Sequence, residues 1–504
     1  MTNKILHNML HLCLALSLVA AAVSCSNSAR NEFDRLLVTL AADDATIDHA
    51  DWEKIVSYID DNKAKLSDFY DGDTLSVEKV KTYISKMFDK RRPPLHIEFT
   101  GIGQAEHMAI NMYLERSGSM TPYDAPQGDG TFKSAIVRML NNLPGSNDDN
   151  KIFVVNSTIT SYPEGFASFI SDNNIFEATK GMGDPSYTDF GAIFETLLNK
   201  TGDNELGILV TDMIYSTKKM IGTNPTKVFT EAQGMINSVF KDVVKKKSML
   251  IIKMRGSYNG PYYTFCSPNA GTTYNGHRPY YIIVVGNNDN IARLTKDPEY
   301  GSFAKFESLP GYQAMYMFNT SDEYRPYYSL LLRNTNIRGR FQPEHGQPKA
   351  ITRIKGMKAD SNSGDMRMVL AVDLNGMLIA KDYATDISNY RVIADSPVKL
   401  LKIMPINKED ITPAEKKYIG SATHLFVLEA KDISHKQEVE IRLQNRLPAW
   451  VAESSSDDDR DTDAPRFADT TFGLRYLLQG IYDSYERNSN GEPYYFSMKL
   501  SFDD

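Results

Sequence analysis

Between about residues 96 and 300, short apolar runs alternate with segments whose apolar residues have helical spacing. The apolar runs lack a regular polar alternation, which is typical of strands buried on both faces. Such strands alternating with helices predict an α/β domain with a doubly wound, mostly parallel sheet. The predicted strands span residues 96–100, 107–114, 152–155, 206–210, 249–252 and 280–285. The predicted helices span residues 132–143, 190–198, 228–244 and 288–294.

The sequence on either side of this region has different patterns. Apolar residues recur at helical spacing toward the N-terminus, as in residues 52–59, and alternate with other residues toward the C-terminus, as in residues 366–374. The first pattern predicts helices and the second an antiparallel β-sandwich. The expected parts are a signal peptide at 1–24, a helical segment at 25–95, the α/β domain at 96–305, a β-sandwich-like domain at 306–453, an acidic linker at 454–465, and a C-terminal helix and strand at 466–504 that pack on the β domain.

The N-terminus has the pattern of an export signal. Lys4 is the only charged residue of the first 24, and the apolar stretch at residues 9–23 is short for a membrane span. It leads into Ala22-Val23-Ser24-Cys25, which resembles the signal of bacterial lipoproteins, whose cysteine is diacylated and becomes the new N-terminus. The resemblance implies lipidation at Cys25 and attachment to the cell envelope, at the outer membrane. The alternative is an ordinary secretory signal with an incidental cysteine.

Charge and cysteine content exclude several classes of function. The formal net charge is −8 at pH 7, which disfavours nucleic acid as a partner. Beyond Cys25 the chain holds one cysteine, Cys266, so an intrachain disulfide is not expected. The sequence contains no nucleophile elbow, phosphate-binding loop or paired-cysteine metal site. It therefore gives no positive argument for an enzyme.

An acidic stretch near the C-terminus alternates carboxylates at Asp457, Asp459, Asp461 and Asp463. Repulsion among like charges favours a solvated, flexible linker at residues 454–465. A loop that wraps Ca²⁺ is the alternative, because alternating carboxylates can ligate that ion.

Oxygen-bearing side chains follow the predicted strands at three places. Glu115, Ser117 and Ser119 come directly after one strand, Thr188 opens a helix, and Asp212 ends a further strand. In an open parallel sheet, ligands bind beyond the carboxyl ends of the strands, so these side chains are expected at one edge. Carboxylates and hydroxyls that converge in this way suit a small, hard cation.

The turn Arg116-Ser117-Gly118-Ser119-Met120 resembles the metal-ion-dependent adhesion site of the von Willebrand factor A family, whose pattern is Asp-x-Ser-x-Ser. The later Thr and Asp also lie at separations that suit the family, and the resemblance covers roughly residues 96–300. Glu115 departs from the pattern, because Asp is expected there. Met213 stands where the family often has Gly.

The resemblance implies a doubly wound fold and a site for Mg²⁺, or for Mn²⁺ or Ca²⁺. Ser117, Ser119 and Thr188 would supply hydroxyl ligands, and Asp212 would hold the ion largely through water. Glu115 would act through water or by hydrogen bonding the serines. An incoming carboxylate from a protein partner would complete the coordination shell.

The expected function is metal-assisted protein binding, adhesion or complex assembly by a lipid-anchored protein of the cell envelope. One alternative is a metal-dependent hydrolase, similar to a phosphoesterase, that uses the same site with an added acid or base. Another is a metal-free structural subunit of an envelope complex.

A stretch rich in aromatic residues and glycine, residues 254–281, interrupts the strand–helix rhythm. Long insertions are often functional, and Tyr and Arg are common at interfaces. Tyr258, Tyr262, His277 and Arg278 are therefore candidates for partner binding. The alternative is an aromatic core beneath the insertion.

Overall fold

The computed structural model describes most of the chain beyond the N-terminal 28 residues. The described residues are 29–42, 45–72, 74–91, 95–99, 108–144, 150–156, 158–171, 174–183, 190–215, 222–267, 269–320, 324–407, 411–413, 415–431, 436–489 and 492–503. The chain divides into two compact units, one up to residue 106 and one from residue 107 onward. The predicted signal peptide and Cys25 lie outside the described residues.

The N-terminal unit is built on three helices, α1 (29–40), α2 (His49–Asp61) and α3 (Val77–Asp89). Asp48 caps α2, where its carboxylate accepts a hydrogen bond from the backbone N–H of Asp51 at 2.8 Å. The apolar faces of the helices form a core of their own around Phe33, Ile55 and Ile84.

The boundary of this unit differs from the prediction. The predicted strand at 96–100 was assigned to the α/β domain, but Glu98–Phe99 pairs in parallel with Thr46–Ile47 of the N-terminal unit. The assignment is wrong because the pairing partner comes from earlier in the chain, where the apolar pattern is too short to predict a strand.

A seven-stranded sheet forms the centre of the second unit. Its strands are β1 (Ala109–Glu115), β2 (Lys151–Val155), β3 (Ile159–Ser161), β4 (Glu205–Thr211), β5 (Lys247–Tyr262), β6 (Thr272–Asn287) and β7 (Tyr312–Phe318). Their order across the sheet is β7-β5-β6-β4-β1-β2-β3. Successive residues of β4, such as Ile208, Leu209 and Val210, are fully buried, so both faces of this strand are covered.

The sheet is mixed, and the expectation of a mostly parallel sheet is wrong. Among the described strands of this sheet, only β1 with β2 and β1 with β4 pair in parallel. The other pairings are antiparallel. The physical reason is that β5 and β6 form one long hairpin, and β6 runs between β4 and β5.

Helices pack against this sheet and against one another. They are α4 (Thr131–Asn141), α5 (Gly165–Ser171), α6 (Ile175–Ala178), α7 (Phe190–Lys200), α8 (Pro225–Phe240) and α9 (Asn288–Lys296). Asn224 caps α8, and Pro225 opens the helix where its missing N–H is not needed. The spacing of apolar residues predicted α4, α7, α8 and α9.

The β-rich part of the second unit contains two further sheets. Strands β8 (Tyr328–Leu330), β11 (Met366–Val372), β14 (His424–Ala430) and β13 (Val398–Pro405) form one sheet in the order β8-β11-β14-β13. Strands β9 (Arg340–Pro343), β10 (Arg353–Lys358), β16 (Tyr494–Asp503), β15 (Gln437–Gln444) and β12 (Tyr390–Ile393) form the other in the order β9-β10-β16-β15-β12. The sheets meet through their apolar faces, where the rings of Phe426 and Tyr390 are 5.2 Å apart.

Short helices connect these strands: α10 (Lys381–Thr385), α11 (Lys416–Ile419) and α12 (Ala449–Glu453). The final helix, α13 (Leu474–Asn488), was expected to pack on the β domain but lies mainly against α8. Gln233 of α8 donates to Asp483 at 3.0 Å, and Ser484 donates to the carbonyl of Asn237 at 3.0 Å. The final strand, β16, does join the β domain. Within the described part of the chain, no helix is both long and apolar enough to cross a membrane.

Candidate functional site

Two neighbouring parallel strands deliver acidic side chains to the same edge of the sheet. Leu114 of β1 pairs with Val210 of β4, and the strands end one residue later, at Glu115 and Thr211. Glu115 and Asp212 are each only 1% exposed. The register therefore brings together the first and last parts of the predicted site. Thr188 lies outside the described residues.

Thr211 also belongs to this site, although it was not among the predicted site residues. Its hydroxyl donates a hydrogen bond to Oε2 of Glu115, and it accepts one from the backbone N–H of Met213 at 2.9 Å. A buried carboxylate needs such donors, because desolvation of the charge is otherwise uncompensated. Sequence could have predicted this contact, because in-register parallel pairing sets Thr211 beside Glu115.

The two serines of the turn face each other. Ser117 Oγ and Ser119 Oγ are 3.0 Å apart, and Ser117 is buried. A Cβ added to Gly118 between them would lie 3.0 Å from Cε2 of Tyr263, so the turn is closely covered by that ring. Glycine at this position lets the end of the β5–β6 hairpin approach the serines.

Asp212 carries an unsatisfied oxygen. Its Oδ1 accepts the backbone N–H of Ile214 at 3.0 Å, whereas its buried Oδ2 has no hydrogen-bond partner of good geometry among the described residues. Burial raises the pKa of the Asp212 carboxyl. Three neighbours act in the opposite direction: the Ile214 N–H, the Ser119 hydroxyl and the Arg278 guanidinium.

The chain turns sharply immediately after this carboxylate. Met213 has φ of 53°, in the left-handed region that favours glycine, although its side chain is buried. The strained turn carries the chain away from the strand direction directly after Asp212, and the Ser119 hydroxyl lowers the pKa of the Asp212 carboxyl.

The predicted partner-binding group is mostly buried, which corrects that expectation. Tyr258, Tyr262 and Arg278 are at most 1% exposed and cannot form a partner surface. The β5–β6 hairpin continues past the edge of the sheet, and these side chains form an aromatic core inside it. His277 alone faces solvent, with Nε2 3.3 Å from Oδ2 of Asp129.

The predicted acidic linker is exposed at Asp457, Asp458, Asp461 and Asp463 but is not solvated throughout. Asp459 is 3% exposed and accepts hydrogen bonds from the Tyr262 hydroxyl at 3.0 Å and from the Phe265 N–H at 3.1 Å. Asp457 instead pairs with Arg475, and Asp458 pairs with Arg460. We call residues 454–472 the docked segment, because they pack on the hairpin next to the site.

The site combines hydroxyls with few carboxylates. Nowhere among the described residues do three or more His, Cys, Asp or Glu side chains gather in a way that suits a metal ion. A cation at this edge would therefore depend on the hydroxyls of Ser117 and Ser119 and on Asp212, which is a ligand chemistry typical of Mg²⁺.

Comparison with known proteins gives no identification. No family model matches the chain, and no curated protein or solved structure matches it.

Proposed function

We propose that this edge of the sheet binds a divalent cation and, through it, a carboxylate of a protein partner. The observation that carries the proposal is Asp212 Oδ2, a buried acceptor with no partner of good geometry in the described part of the chain. Native proteins rarely leave such an atom unsatisfied, and a bound ion or water is one partner that satisfies it. The serine hydroxyls next to it are suitable further ligands for a hard cation.

The charges of the site favour a bound cation whose coordination shell has an open position. Glu115 and Asp212 are both buried carboxylates, whereas the serines are neutral. A divalent ion held mainly by hydroxyls and water keeps a net positive charge, and so supplies an open position for an anionic side chain. Glu115, held by Thr211, would stabilise the ion at longer range rather than by direct ligation.

The same arrangement supports membership of the von Willebrand factor A family with a variant site. The parallel strands β2, β1 and β4, the Ser-Gly-Ser turn after β1 and Asp212 after β4 all suit that family. The antiparallel β6 beside β4 departs from a doubly wound sheet. We infer a divergent member in which the hairpin has replaced part of the sheet beyond β4.

The metal hypothesis is tested by calorimetric titration of the full-length protein in detergent with Mg²⁺ and with Mn²⁺. One ion per chain is expected to bind, and Asp212→Asn or the pair Ser117→Ala and Ser119→Ala should abolish binding. Asp242→Asn, an exposed change in the turn that follows α8, is the matched control and should bind as the wild type does. Absence of binding in the wild type would refute the proposal.

The partner hypothesis needs a second measurement. Envelope extracts are passed over immobilised protein in Mg²⁺ or in chelator. A partner that binds through the ion is retained only in Mg²⁺ and only when Asp212 is intact. A partner retained equally by Asp212→Asn binds elsewhere on the molecule.

One observation favours a second candidate, a metal-free structural subunit. The Ser117 and Ser119 hydroxyls are within hydrogen-bond distance of each other, and Glu115 accepts from Thr211, so part of the polar site is satisfied internally. This function requires that the chelator leave both stability and partner binding unchanged.

We also propose that Cys25 anchors the protein to the cell envelope, on the basis of the residues that precede it. Two acyl chains or more hold a protein stably on a bilayer. Radiolabelled palmitate is expected to label the wild type and not Cys25→Ala, with the variant recovered from the soluble fraction. Labelling of Cys25→Ala would contradict the proposal.

A further inference from the structure

A fully buried guanidinium lies beside the candidate metal site. Arg278 is 1% exposed, and its guanidinium carbon is 4.0 Å from the centroid of the Phe467 ring and 4.7 Å from that of Tyr262. One terminal nitrogen donates to the carbonyl of Phe467, and the other is 3.5 Å from the Tyr262 hydroxyl. Its Nε has no hydrogen-bond partner within the described residues.

Such a charge is costly to bury unless an opposite charge compensates it. Within the described residues, the hydrogen bonds of Arg278 go to the Phe467 carbonyl and the Tyr262 hydroxyl and none goes to a carboxylate, so no direct ion pair forms. Two buried carboxylates, Asp212 and Asp459, nevertheless interact with it electrostatically. In a water-excluded interior, charges act on each other beyond contact distance.

The register of the strands places Arg278 and Asp212 at the same edge of the sheet. Thr211 of β4 pairs with Tyr281 of β6, so Asp212 and Arg278 both lie just beyond the last pair of these neighbouring strands. The hairpin carries Arg278 past the edge of the sheet, and the ring of Phe467 from the docked segment closes over it. The Arg278 guanidinium is thus held between the candidate metal site and the docked segment.

We propose that Arg278 is a built-in counter-charge to Asp212, which stabilises the site when no metal is bound and weakens its affinity for a divalent cation. The metal part of this inference rests on the proposed function. A permanent positive charge neutralises the carboxylate and repels an incoming cation, because both would occupy the same region of negative potential. The site is therefore set to bind its ion weakly and to stay folded when the ion leaves.

The first test compares Arg278→Met, which removes the charge, with Arg278→Lys, which keeps it. Titration of each full-length protein with Mn²⁺ is expected to give a dissociation constant on the order of tenfold lower for Arg278→Met than for the wild type. Arg278→Lys should remain close to the wild type. An unchanged or weaker affinity of Arg278→Met would overturn the inference.

A metal-free double-mutant cycle separates failure of this inference from failure of the proposed function. In chelator, Arg278→Met is expected to lower the melting temperature less when Asp212→Asn is also present, because the carboxylate no longer needs a counter-charge. If the wild type binds no Mn²⁺ but the cycle shows this coupling, the counter-charge stands and metal binding fails. Additive effects of the two substitutions would refute the counter-charge itself.

Poor folding of Arg278→Met is also informative. If the single variant is insoluble, adding Asp212→Asn is expected to restore soluble protein, because the carboxylate that Arg278 compensates at the site is then neutral. An insoluble double variant would contradict the proposal, since the loss would then come from packing against Phe467 and Tyr262.

Discussion

Between pH 4 and pH 7, burial of the Asp459 carboxyl is expected to lower the unfolding free energy of the protein by about 2 kcal/mol, and Asp459→Asn should abolish that loss. Burial raises the pKa of Asp459 from 3.8 to about 6. The folded state therefore binds the proton more tightly than the unfolded state. The resulting stabilisation is complete below about pH 4 and is lost as the pH rises through about 6.

The measurement is urea unfolding of the wild type and of Asp459→Asn at pH 4 and at pH 7. Asp212 shifts in the same direction, so the comparison is the difference between the two proteins and not the slope of either alone. Asp461→Asn, an exposed change in the same segment, is the control and should follow the wild type. Equal pH dependence of the wild type and Asp459→Asn would show that Asp459 ionises in the folded protein as easily as in water.

The burial of Asp459 could not be predicted from the sequence. The alternating carboxylates predicted a solvated linker, because repulsion is the only interaction visible within the stretch itself. The hydrogen bonds that bury Asp459 come from Tyr262 and Phe265, almost two hundred residues earlier in the chain. Contacts of such range depend on the assembled tertiary structure and leave no local pattern.

The edge of the sheet was easier to predict, because it depends on two local features. Apolar runs that end at Leu114 and Val210 predict buried strands, and parallel pairing of these strands sets their ends side by side. The positions of Glu115 and Asp212 follow from that register. The direction of the strands beyond β4 could not be predicted from the sequence. A hairpin connection and a crossover connection join apolar runs of the same pattern.

The hairpin also explains the fate of the predicted partner-binding residues. Aromatic residues and an arginine in a long insertion suit an interface and a small core equally well. Pairing of β5 with β6 continues to Tyr262 and Thr272, so the insertion is a regular ribbon with an inward face. Phe467 of the docked segment covers that face. Arg278 is therefore buried in the protein and is not available at its surface.

Because α13 packs closely on α8, two glycine-to-alanine substitutions are expected to change the unfolding free energy in opposite directions. Alanine favours a helix over glycine by about 1 kcal/mol when nothing else changes. At Gly234 of α8, an added Cβ meets no atom within 4 Å, so Gly234→Ala should raise the unfolding free energy by about that amount. At Gly480 of α13, the Cβ would lie 2.7 Å from the carbonyl oxygen of Gln233, which belongs to the backbone of α8.

Gly480→Ala is therefore expected to lower the unfolding free energy by roughly 1–3 kcal/mol, because the two helices must separate to admit the methyl group. Separation also strains the hydrogen bonds from Gln233 to Asp483 and from Ser484 to Asn237. Urea unfolding of both variants beside the wild type measures the two effects under one condition. A stabilising effect of Gly480→Ala equal to that of Gly234→Ala would mean that α13 does not approach α8 this closely, and that the C-terminal helix is not held to the central sheet through this contact.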